Sequence, residues 1–379
     1  MSASVRAAVL RAPGAPLAIE QLKLGELRSH EVVVRLVATG ICHTDIAVMS
    51  RPFPVEQPIV LGHEGAGIVE AVGSAVSSVK PGDRVVMSYA SCGNCTSCAA
   101  LAPMYCEYFF GANFLGRRRD GSTALSSSND SPVRHSFFGQ SSFATHSVCT
   151  ERNVIKVSPG APLEMLGPLG CGIQTGAGAI FNVLKPSVGQ SLAVFGVGSV
   201  GLAAVLAAQA IGVGTIMAID LDDRRLALAL ELGATHAINP ARTDTVAEIR
   251  SLTGVGVNLS FETTGSMKVL RQAVDCLSSL GVCGFVGASA PGAELPLDVR
   301  DMMSRGKSIR GIVEGDANSQ VFIPMLIRLH EQGRFPFDRL LTFYPFDDIE
   351  QAVADSISGK VVKAVLRFPE PEPPGRTAD

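Results

Sequence analysis

The pattern of apolar and polar residues changes near the middle of the chain. In the first part, short runs of β-branched residues are separated by turn formers such as Lys80-Pro-Gly-Asp83. The runs that predict strands are 32–37, 67–72 and 83–87. Short strands at close spacing are typical of a barrel or sandwich. Residues 1–172 are therefore predicted to form a β-rich domain.

From about residue 173, short apolar runs alternate with helical stretches, which predicts a parallel sheet covered by helices over residues 173–312. The predicted strands are 192–195, 216–219, 237–238, 259–262 and 282–286, and the predicted helices are 199–211, 222–232, 243–252 and 266–279. The helix at 199–211 is apolar all round, which predicts packing on both sides. Segment 313–379 is predicted to return to the first domain and to end in a disordered tail rich in proline, from Pro369 onward.

One apolar run is long enough to span a bilayer, because no residue from Pro186 to Ile219 is charged. Six glycines interrupt it and no aromatic belt flanks it, so it is interpreted as strand, turn, helix and strand. No membrane association is predicted. Near the N-terminus only Ala7–Leu10 are consecutively apolar, too few for a secretory signal, so the expected location is the cytoplasm.

Composition excludes some classes of partner. The 379-residue chain has 32 Lys and Arg against 35 Asp and Glu, a formal net charge of -3. No global cationic field therefore attracts nucleic acid or an anionic membrane. The nine cysteines are an odd number, and only their spacing can assign them a role.

A glycine motif predicts a dinucleotide site. Gly196-Val-Gly-Ser-Val-Gly201 follows a predicted strand and opens a helix whose N-terminus favours a pyrophosphate. Asp220 ends the next strand, where a carboxylate can bind the ribose 2′-hydroxyl and disfavour a 2′-phosphate. NAD is therefore preferred to NADP, although Arg225 can soften that preference. The alternative is a glycine turn without a ligand. The candidate coenzyme contacts are Gly196, Gly198, Val200, Gly201, Asp220, Arg225 and Thr175.

Four cysteines lie within 15 residues, at positions 92, 95, 98 and 106. Two Cys-x-x-Cys steps and a nearby fourth thiol can surround one tetrahedral zinc with no open position, which predicts a structural site at Cys92, Cys95, Cys98 and Cys106. An iron–sulfur cluster is disfavoured because no Cys-x3-Cys-Pro ending follows. A disulfide pair is the alternative, but it needs an oxidising compartment, which nothing in the sequence indicates. A DNA-binding zinc ribbon is a further alternative, but this segment lacks the Lys/Arg-rich recognition face that such a ribbon needs.

A second set of metal-ligand types is dispersed along the chain. Cys42 lies in Cys-His-Thr-Asp45, His63 in Gly-His-Glu, and Cys171 in Gly-Cys-Gly. Each residue alone can equally be a buried core residue. Together with Gly62–Gly67, Gly73, the four-cysteine segment and the glycine motif, in this order, the chain resembles the zinc-dependent medium-chain alcohol dehydrogenases over essentially its whole length.

The resemblance implies an α/β protein with a GroES-like β-rich catalytic domain, built from both ends of the chain, and a Rossmann domain with a doubly wound parallel sheet between them. It implies two zinc ions per chain, with Cys42, His63 and Cys171 holding the catalytic one. Thr44 is then the group that accepts the alcohol proton and Asp45 orients His63, while Glu64 lies beside the metal.

The resemblance also places a cation, here His43, near the coenzyme pyrophosphate. Liver-type members of the family continue the proton relay through a histidine at the position of Ala47. This chain has no imidazole there. The relay therefore ends in water, in the ribose and His43, or elsewhere.

Two segments, 138–145 and 308–316, are similar to the aryl- and benzyl-alcohol dehydrogenase branch, which favours benzylic or allylic primary alcohols over ethanol. The aromatic residues considered as pocket lining are Phe53, Tyr89, Phe110 and Phe114, each of which can equally be core packing. Within the family, the alternative is a thiol-adduct formaldehyde dehydrogenase, which has an arginine where this chain has Phe110. Outside it, the alternatives are a metal-free quinone-reductase-like enzyme and a non-catalytic zinc- and NAD-binding protein.

The loop 117–134 is polar with a basic start and is interpreted as a solvated surface loop. Its length resembles that of dimeric family members, since tetrameric ones often shorten it. We therefore expect a homodimer formed along the edge of the Rossmann sheet, with a tetramer as the alternative.

Overall fold

The computed structural model describes residues 4–50 and 55–369. The chain divides into two compact units, one made of 1–171 and 341–379 and the other of 172–340. Phe53 and the predicted tail beyond Pro369 lie outside the described residues. No described helix has the length and apolar character needed to cross a membrane.

The described strands and helices follow here in chain order. The strands are β1 (Ser4–Leu10), β2 (Ala18–Leu24), β3 (Glu31–Gly40), β4 (Ile59–Val60), β5 (Gly65–Val72), β6 (Arg84–Met87), β7 (Leu125–Ser126), β8 (Pro132–Val133), β9 (His146–Thr150), β10 (Val154–Lys156), β11 (Ser191–Phe195), β12 (Thr215–Ile219), β13 (His236–Ile238), β14 (Val257–Glu262), β15 (Leu277–Phe285), β16 (Ser308–Gly311), β17 (Leu341–Pro345) and β18 (Lys363–Arg367). The α-helices are α1 (His43–Ser50), α2 (Thr96–Ala99), α3 (Phe109–Phe114), α4 (Leu163–Leu166), α5 (Gly172–Gly178), α6 (Ser199–Ile211), α7 (Asp223–Glu231), α8 (Thr245–Thr253), α9 (Met267–Asp275), α10 (Val299–Arg305), α11 (Ser319–Glu331) and α12 (Ile349–Ile357). The short 3-10 segments include Phe137–Gly139, Gly167–Gly170 and Glu314–Asp316, and a π-helix covers Ala179–Leu184.

The first unit is rich in β-structure. One sheet has the order β4-β1-β2-β7-β8, and a second has the order β10-β6-β5-β3-β18-β17 with β9 also paired to β3. Neighbours are antiparallel except β17 and β18. Strand β3 is almost wholly buried because it lies centrally, with β5, β9 and β18 on its edges. Strands from the early and the late part of the chain belong to the same sheet, because β18 pairs with β3.

The second unit contains a parallel sheet of order β13-β12-β11-β14-β15-β16. This order reverses at β11 and β14, which is the arrangement of the dinucleotide-binding Rossmann fold. Helix α6 has the predicted bounds, and its residues 201–208 are all buried. A helix that is apolar all round is thus packed on all sides over two turns.

Two sequence-based expectations need correction. The helix predicted at 266–279 ends at Asp275, because Val257 pairs with Leu277 and the backbone joins the sheet there. The return to the first unit, predicted at residue 313, occurs at 341 instead. Residues after 313 pack on the second unit: Asn182 donates to the carbonyl of Gly315 at 3.1 Å, and a Cβ on Gly178 would lie 2.3 Å from that oxygen.

Candidate metal and coenzyme sites

The first unit brings together the dispersed residues Cys42, His63, Glu64 and Cys171, whose ligand atoms all lie within 4.8 Å of one another. They come from the end of β3, from the segment between β4 and β5, and from the residue after the 3-10 segment Gly167–Gly170. All but Cys42 are buried. The donor set of two thiols and an imidazole is one that zinc prefers.

Asp45 organises this cluster from a completely buried position on α1. One carboxylate oxygen lies 2.9 Å from Nδ1 of His63 and accepts the amide of Gly62 at 3.0 Å. The other accepts the amide of Cys42 at 3.0 Å. Asp45 therefore ties two ligand-bearing segments together and leaves Nε2 of His63 as the nitrogen for a metal.

The His63 ring supplies the test of whether a metal fits. Its Nε2 is buried and has no hydrogen-bond partner among the described residues. A buried polar atom without a partner is costly unless a ligand completes it. The residues present therefore fit a zinc ion bound by Cys42, His63 and Cys171.

The hydrogen bonds and charges around Cys42 favour its thiolate form. Its pKa lies well below the ordinary value, mainly because of the hydrogen bond with Cys171; burial opposes this, and the charges of His63 and Lys363 lower it further. Burial by itself lowers the pKa of His63, but the charges of Asp45 and Cys42 raise it well above the ordinary value. Thiolate is the form that binds zinc.

Glu64 is completely buried and is held by a lysine that the sequence reasoning missed. Lys363 on β18 donates to both carboxylate oxygens, at 2.8 and 2.9 Å, and to the carbonyl of Ile41 at 3.1 Å. Burial raises the pKa of Glu64, and the charge of Lys363 opposes that rise. Glu64 thus lies beside the cluster with its charge balanced by Lys363.

Gln140 is a second residue that the sequence reasoning missed. Its buried amide donates to the carbonyl of His63 at 2.8 Å and accepts the amide of Gly65 at 3.1 Å. Neighbouring Ser88 donates to the carbonyl of Gly170, next to Cys171, at 2.6 Å. Both act through backbone groups that are distant in sequence, so no local pattern indicates these contacts.

The other candidates lie on or near α1. Thr44 is half-buried, with its hydroxyl oxygen 3.8 Å from Sγ of Cys42. His43 is exposed at the first residue of the helix, and Ala47 follows one turn later. Helix α1 therefore places the hydroxyl of Thr44 beside Cys42, a predicted zinc ligand.

The four-cysteine segment forms a separate cluster whose sulfur atoms also lie within 4.8 Å of one another. Sγ of Cys92 is 3.9 Å from that of Cys98, and Sγ of Cys95 is 3.9 Å from that of Cys106, so no disulfide joins them. A hydrogen bond from the amide of Asn94 lowers the pKa of Cys92 to about 6. Backbone amides aimed at thiols stabilise thiolates, which suits a closed zinc site.

In the second unit, the glycine motif joins β11 to α6. Gly196 has φ +84°, and a Cβ there would lie 2.6 Å from the Thr263 hydroxyl. A Cβ on Gly201 would lie 2.0 Å from the carbonyl of Gly196, whereas one on Gly198 would meet nothing within 4 Å. The first and third glycines thus permit close packing, and open space beside the second leaves room for a pyrophosphate.

Asp220 directly follows β12, and its carboxylate accepts the amide of Val197 at 2.8 Å and that of Asp222 at 3.0 Å. It therefore supports the glycine turn itself.

Arg225 on α7 has a buried Nε without a partner among the described residues. Val200 lies on α6 and Thr175 on α5, and these helices pack closely, because a Cβ on Gly176 would lie 1.9 Å from the Val200 carbonyl.

Comparisons with known proteins agree with both units. Residues 28–159 match the family model of the alcohol dehydrogenase GroES-like domain, and residues 199–331 match that of zinc-binding dehydrogenases. A geraniol dehydrogenase of Castellaniella defragrans is 48% identical over 367 residues, covering 96% of this chain and 98% of that protein.

Two solved structures are similar over nearly the whole chain. An alcohol dehydrogenase zinc-binding domain protein from Burkholderia ambifaria is 53% identical with a TM-score of 0.96, covering 98% of this chain and 100% of that one. A benzyl alcohol dehydrogenase from Acinetobacter calcoaceticus is 46% identical with a TM-score of 0.93, covering 97% and 100%. The chain therefore belongs to the zinc-dependent medium-chain alcohol dehydrogenase family, enzymes that use zinc and a nicotinamide coenzyme on a GroES-like domain and a Rossmann domain.

Proposed function

We propose that this enzyme oxidises benzylic or allylic primary alcohols reversibly to aldehydes, with NAD as the hydride acceptor. The observation that carries the substrate class is the stacking of Phe138 on His63, with ring centroids 4.4 Å apart and planes at 25°. A flat apolar face thus lies against a predicted zinc ligand. An aromatic or unsaturated group next to the reacting carbon is favoured in such aromatic, apolar surroundings.

More aromatic rings continue this surface. Phe137 and Phe114 lie 5.1 and 5.0 Å from Phe138, and Phe109 lies 6.5 Å from it, in edge contacts. Tyr89 lies 5.9 Å from Phe109. This set, which we call the aromatic wall, includes Tyr89 and Phe114 of the four aromatic residues considered from the sequence, and a third, Phe110, stacks on Phe114 with ring centroids 5.2 Å apart. The names of the geraniol and benzyl alcohol dehydrogenases that resemble this chain support the same substrate class.

The residues of the first unit have separable roles in the proposed reaction. Cys42, His63 and Cys171 would hold a zinc ion, which would supply Lewis acidity toward the substrate oxygen. With NAD bound as the hydride acceptor, the hydroxyl of Thr44 would accept the proton of the substrate hydroxyl. Asp45 keeps Nδ1 of His63 engaged and so maintains the ring orientation. Ala47 carries no titratable group, so the proton passes from Thr44 to water, to the coenzyme ribose and His43, or elsewhere.

The preference for NAD over NADP rests on Asp220. Its carboxylate lies just after β12 beside the glycine turn and would repel a 2′-phosphate. Arg225, with its unpartnered Nε, limits the size of that preference. We expect a higher kcat/KM with NAD than with NADP, and Asp220→Ala should narrow the ratio.

An alcohol panel with NAD tests the proposal. The kcat/KM for benzyl alcohol and for geraniol should exceed that for ethanol by about a hundredfold or more. The reason is that an apolar pocket favours the substrate that buries more apolar surface. Zinc analysis of the same preparation should give two ions per chain, one for each cluster. Equal efficiency on ethanol contradicts the substrate class, and turnover of formaldehyde only with an added thiol favours the thiol-adduct alternative. NAD binding without turnover of any alcohol favours a non-catalytic role.

We also propose a homodimer joined along β16. This strand ends the parallel sheet, and Ser308, Arg310 and Gly311 on it are exposed. An exposed strand at the edge of a sheet can pair with the same strand of a second copy. Ile309→Pro should convert a dimer into a monomer in sedimentation experiments, whereas a tetramer in the unmodified protein contradicts the proposal. A cytoplasmic location is proposed as well, because the nine cysteines form no disulfide among the described residues, which suits a reducing compartment.

A further inference from the structure

We propose that the first unit binds a small organic phosphate in a pocket beside the four-cysteine cluster. The pocket has a volume of about 470 Å³ and is separate from the residues assigned to the proposed reaction. Five arginines line it: Arg28, Arg117, Arg118, Arg119 and Arg152. They come from the segment before β3, the loop after α3 and the turn after β9. A ligand of this size is a typical occupant of a cavity of several hundred cubic ångströms.

The pocket has a positive charge in a chain whose net charge is -3. Against the five arginines, the lining includes two carboxylates, Glu31 and Glu151. Two further carboxylates balance part of the charge from outside the lining. Asp120 lies 2.6 Å from Arg28, and Glu56 lies 3.6 Å from Arg117. A local surplus of cations in a concave site concentrates anions there.

Two of the arginines are held in place by strong contacts. Arg118 forms a two-pronged ion pair with the carboxylate of Glu31, at 2.6 and 2.8 Å, and is only 12% exposed. Arg28 donates to Asp120 and to the Ser122 hydroxyl. Because these contacts restrict the side chains before any ligand arrives, little further ordering is needed on binding.

Arg119 is the arginine best suited to bind an anion. Its guanidinium lies over the ring of Tyr108, 4.8 Å from the centroid, and no carboxylate pairs with it in the part of the chain that the structure describes. A guanidinium stacked on a ring face still has its N–H groups directed outward in the plane. Arg152 donates to the Ser91 hydroxyl at 3.2 Å and packs against Gly93, where a Cβ would lie 2.8 Å from Cζ.

The floor of the pocket is small and largely apolar, with buried Ala90, Val148 and Cys149. Buried His135 also lines it, and burial followed by the charges of Arg118 and Arg28 lowers its pKa to about 3. His135 is therefore uncharged, and the positive charge of the pocket comes from the arginines. An arginine rim above an apolar floor suits a ligand with a phosphate at one end and an apolar body, and the planar guanidinium fork matches phosphate oxygens in pairs.

Calorimetry with phenyl phosphate tests the proposal on the zinc-loaded enzyme saturated with NADH, which blocks the coenzyme phosphate site. We expect saturable binding that weakens with added salt. Arg119→Gln should weaken it by about tenfold, as expected for the loss of one charge-assisted contact. Arg117→Gln is a second variant, and zinc content and circular dichroism show that each variant is folded.

The matched control is Arg300→Gln, which removes an exposed arginine from α10 in the other unit. Binding by this variant should equal that of the unmodified enzyme. Inorganic phosphate alone should bind more weakly than phenyl phosphate if the apolar floor contributes. The proposal is overturned if phenyl phosphate does not bind at millimolar concentration, if Arg119→Gln and Arg117→Gln bind it unchanged, or if Arg300→Gln weakens binding equally.

Discussion

The two cysteine-containing clusters of the first unit are built in opposite ways. Cys92, Cys95, Cys98 and Cys106 lie within one short segment, and backbone amides of that segment bind their sulfur atoms. The ligands of the other cluster come from three distant segments and depend on Asp45, Gln140 and Lys363 for support. A local cluster therefore needs mainly its own loop, whereas the dispersed one needs the whole unit to be folded.

The difference matters for chemistry. A loop with four thiols fills all four zinc positions and leaves none for a substrate. In the proposed site the dispersed cluster offers two thiols and one imidazole, and Lys363 holds Glu64, so a bound zinc would keep one position for a substrate oxygen. Buried support also keeps the ligands oriented without occupying that position. The following substitutions test this contrast, from the largest expected effect on turnover to the smallest.

His63→Gln should reduce kcat by at least about 10⁴-fold, because the dispersed cluster loses a ligand and the reaction loses its Lewis acid. The zinc content should fall from two ions per chain to one, because the four-cysteine cluster keeps its ion. His236→Gln, on β13 of the other unit, is the control and should retain both ions and full activity. Retention of both ions by His63→Gln would contradict the assigned ligand set.

Thr44→Ala should lower kcat by about 10²-fold while NAD affinity changes little, because only proton transfer loses its hydroxyl. Steady-state kinetics with benzyl alcohol and a direct NAD titration measure the two quantities. Thr44→Ser keeps a hydroxyl and should restore most of the rate. Unchanged turnover in the alanine variant would show that the proton leaves by another route.

Asp45→Asn preserves the side-chain volume but removes the charge beside His63. Zinc at the dispersed cluster should then be released about 10- to 100-fold more readily, as found when the partner of a ligating histidine is lost. Release can be followed with a chromophoric chelator. The four-cysteine cluster serves as an internal control whose release rate should not change, and equal acceleration at both clusters would indicate general destabilisation instead.

Cys98→Ser should have the smallest effect on turnover, within about threefold in kcat for the protein that remains folded, and a larger effect on stability. One zinc is lost and the loop it organised loosens, so the melting temperature should fall. Thermal unfolding and zinc content measure this. Cys149→Ser, a buried thiol outside both clusters, should keep two ions per chain. A loss of turnover in Cys98→Ser as large as in His63→Gln would remove the contrast between the clusters.

Features that depend on short spacing were accessible from the sequence. The four cysteines, the motif from Gly196 to Gly201 and the alternation of strands and helices after residue 173 each involve neighbours in the chain. Helix α6 was predicted with its observed bounds because its apolar pattern and its flanking glycines act locally. The helix at 266–279 was predicted too long, since pairing of Leu277 with Val257 outweighs local helical preference.

Contacts across long separations were decided only by tertiary structure. Lys363 reaches Glu64 across 299 positions, and no local pattern marks either residue as a partner of the other. Phe138 stacks on His63, and five arginines from separate segments line one pocket, because sheet pairing and loop packing place them there. The amino-acid sequence alone thus determined which chemical groups this protein carries and which of them are neighbours along the chain. Burial and strand order determined which of them meet, because a buried charge or ligand must find its partner wherever the fold brings one.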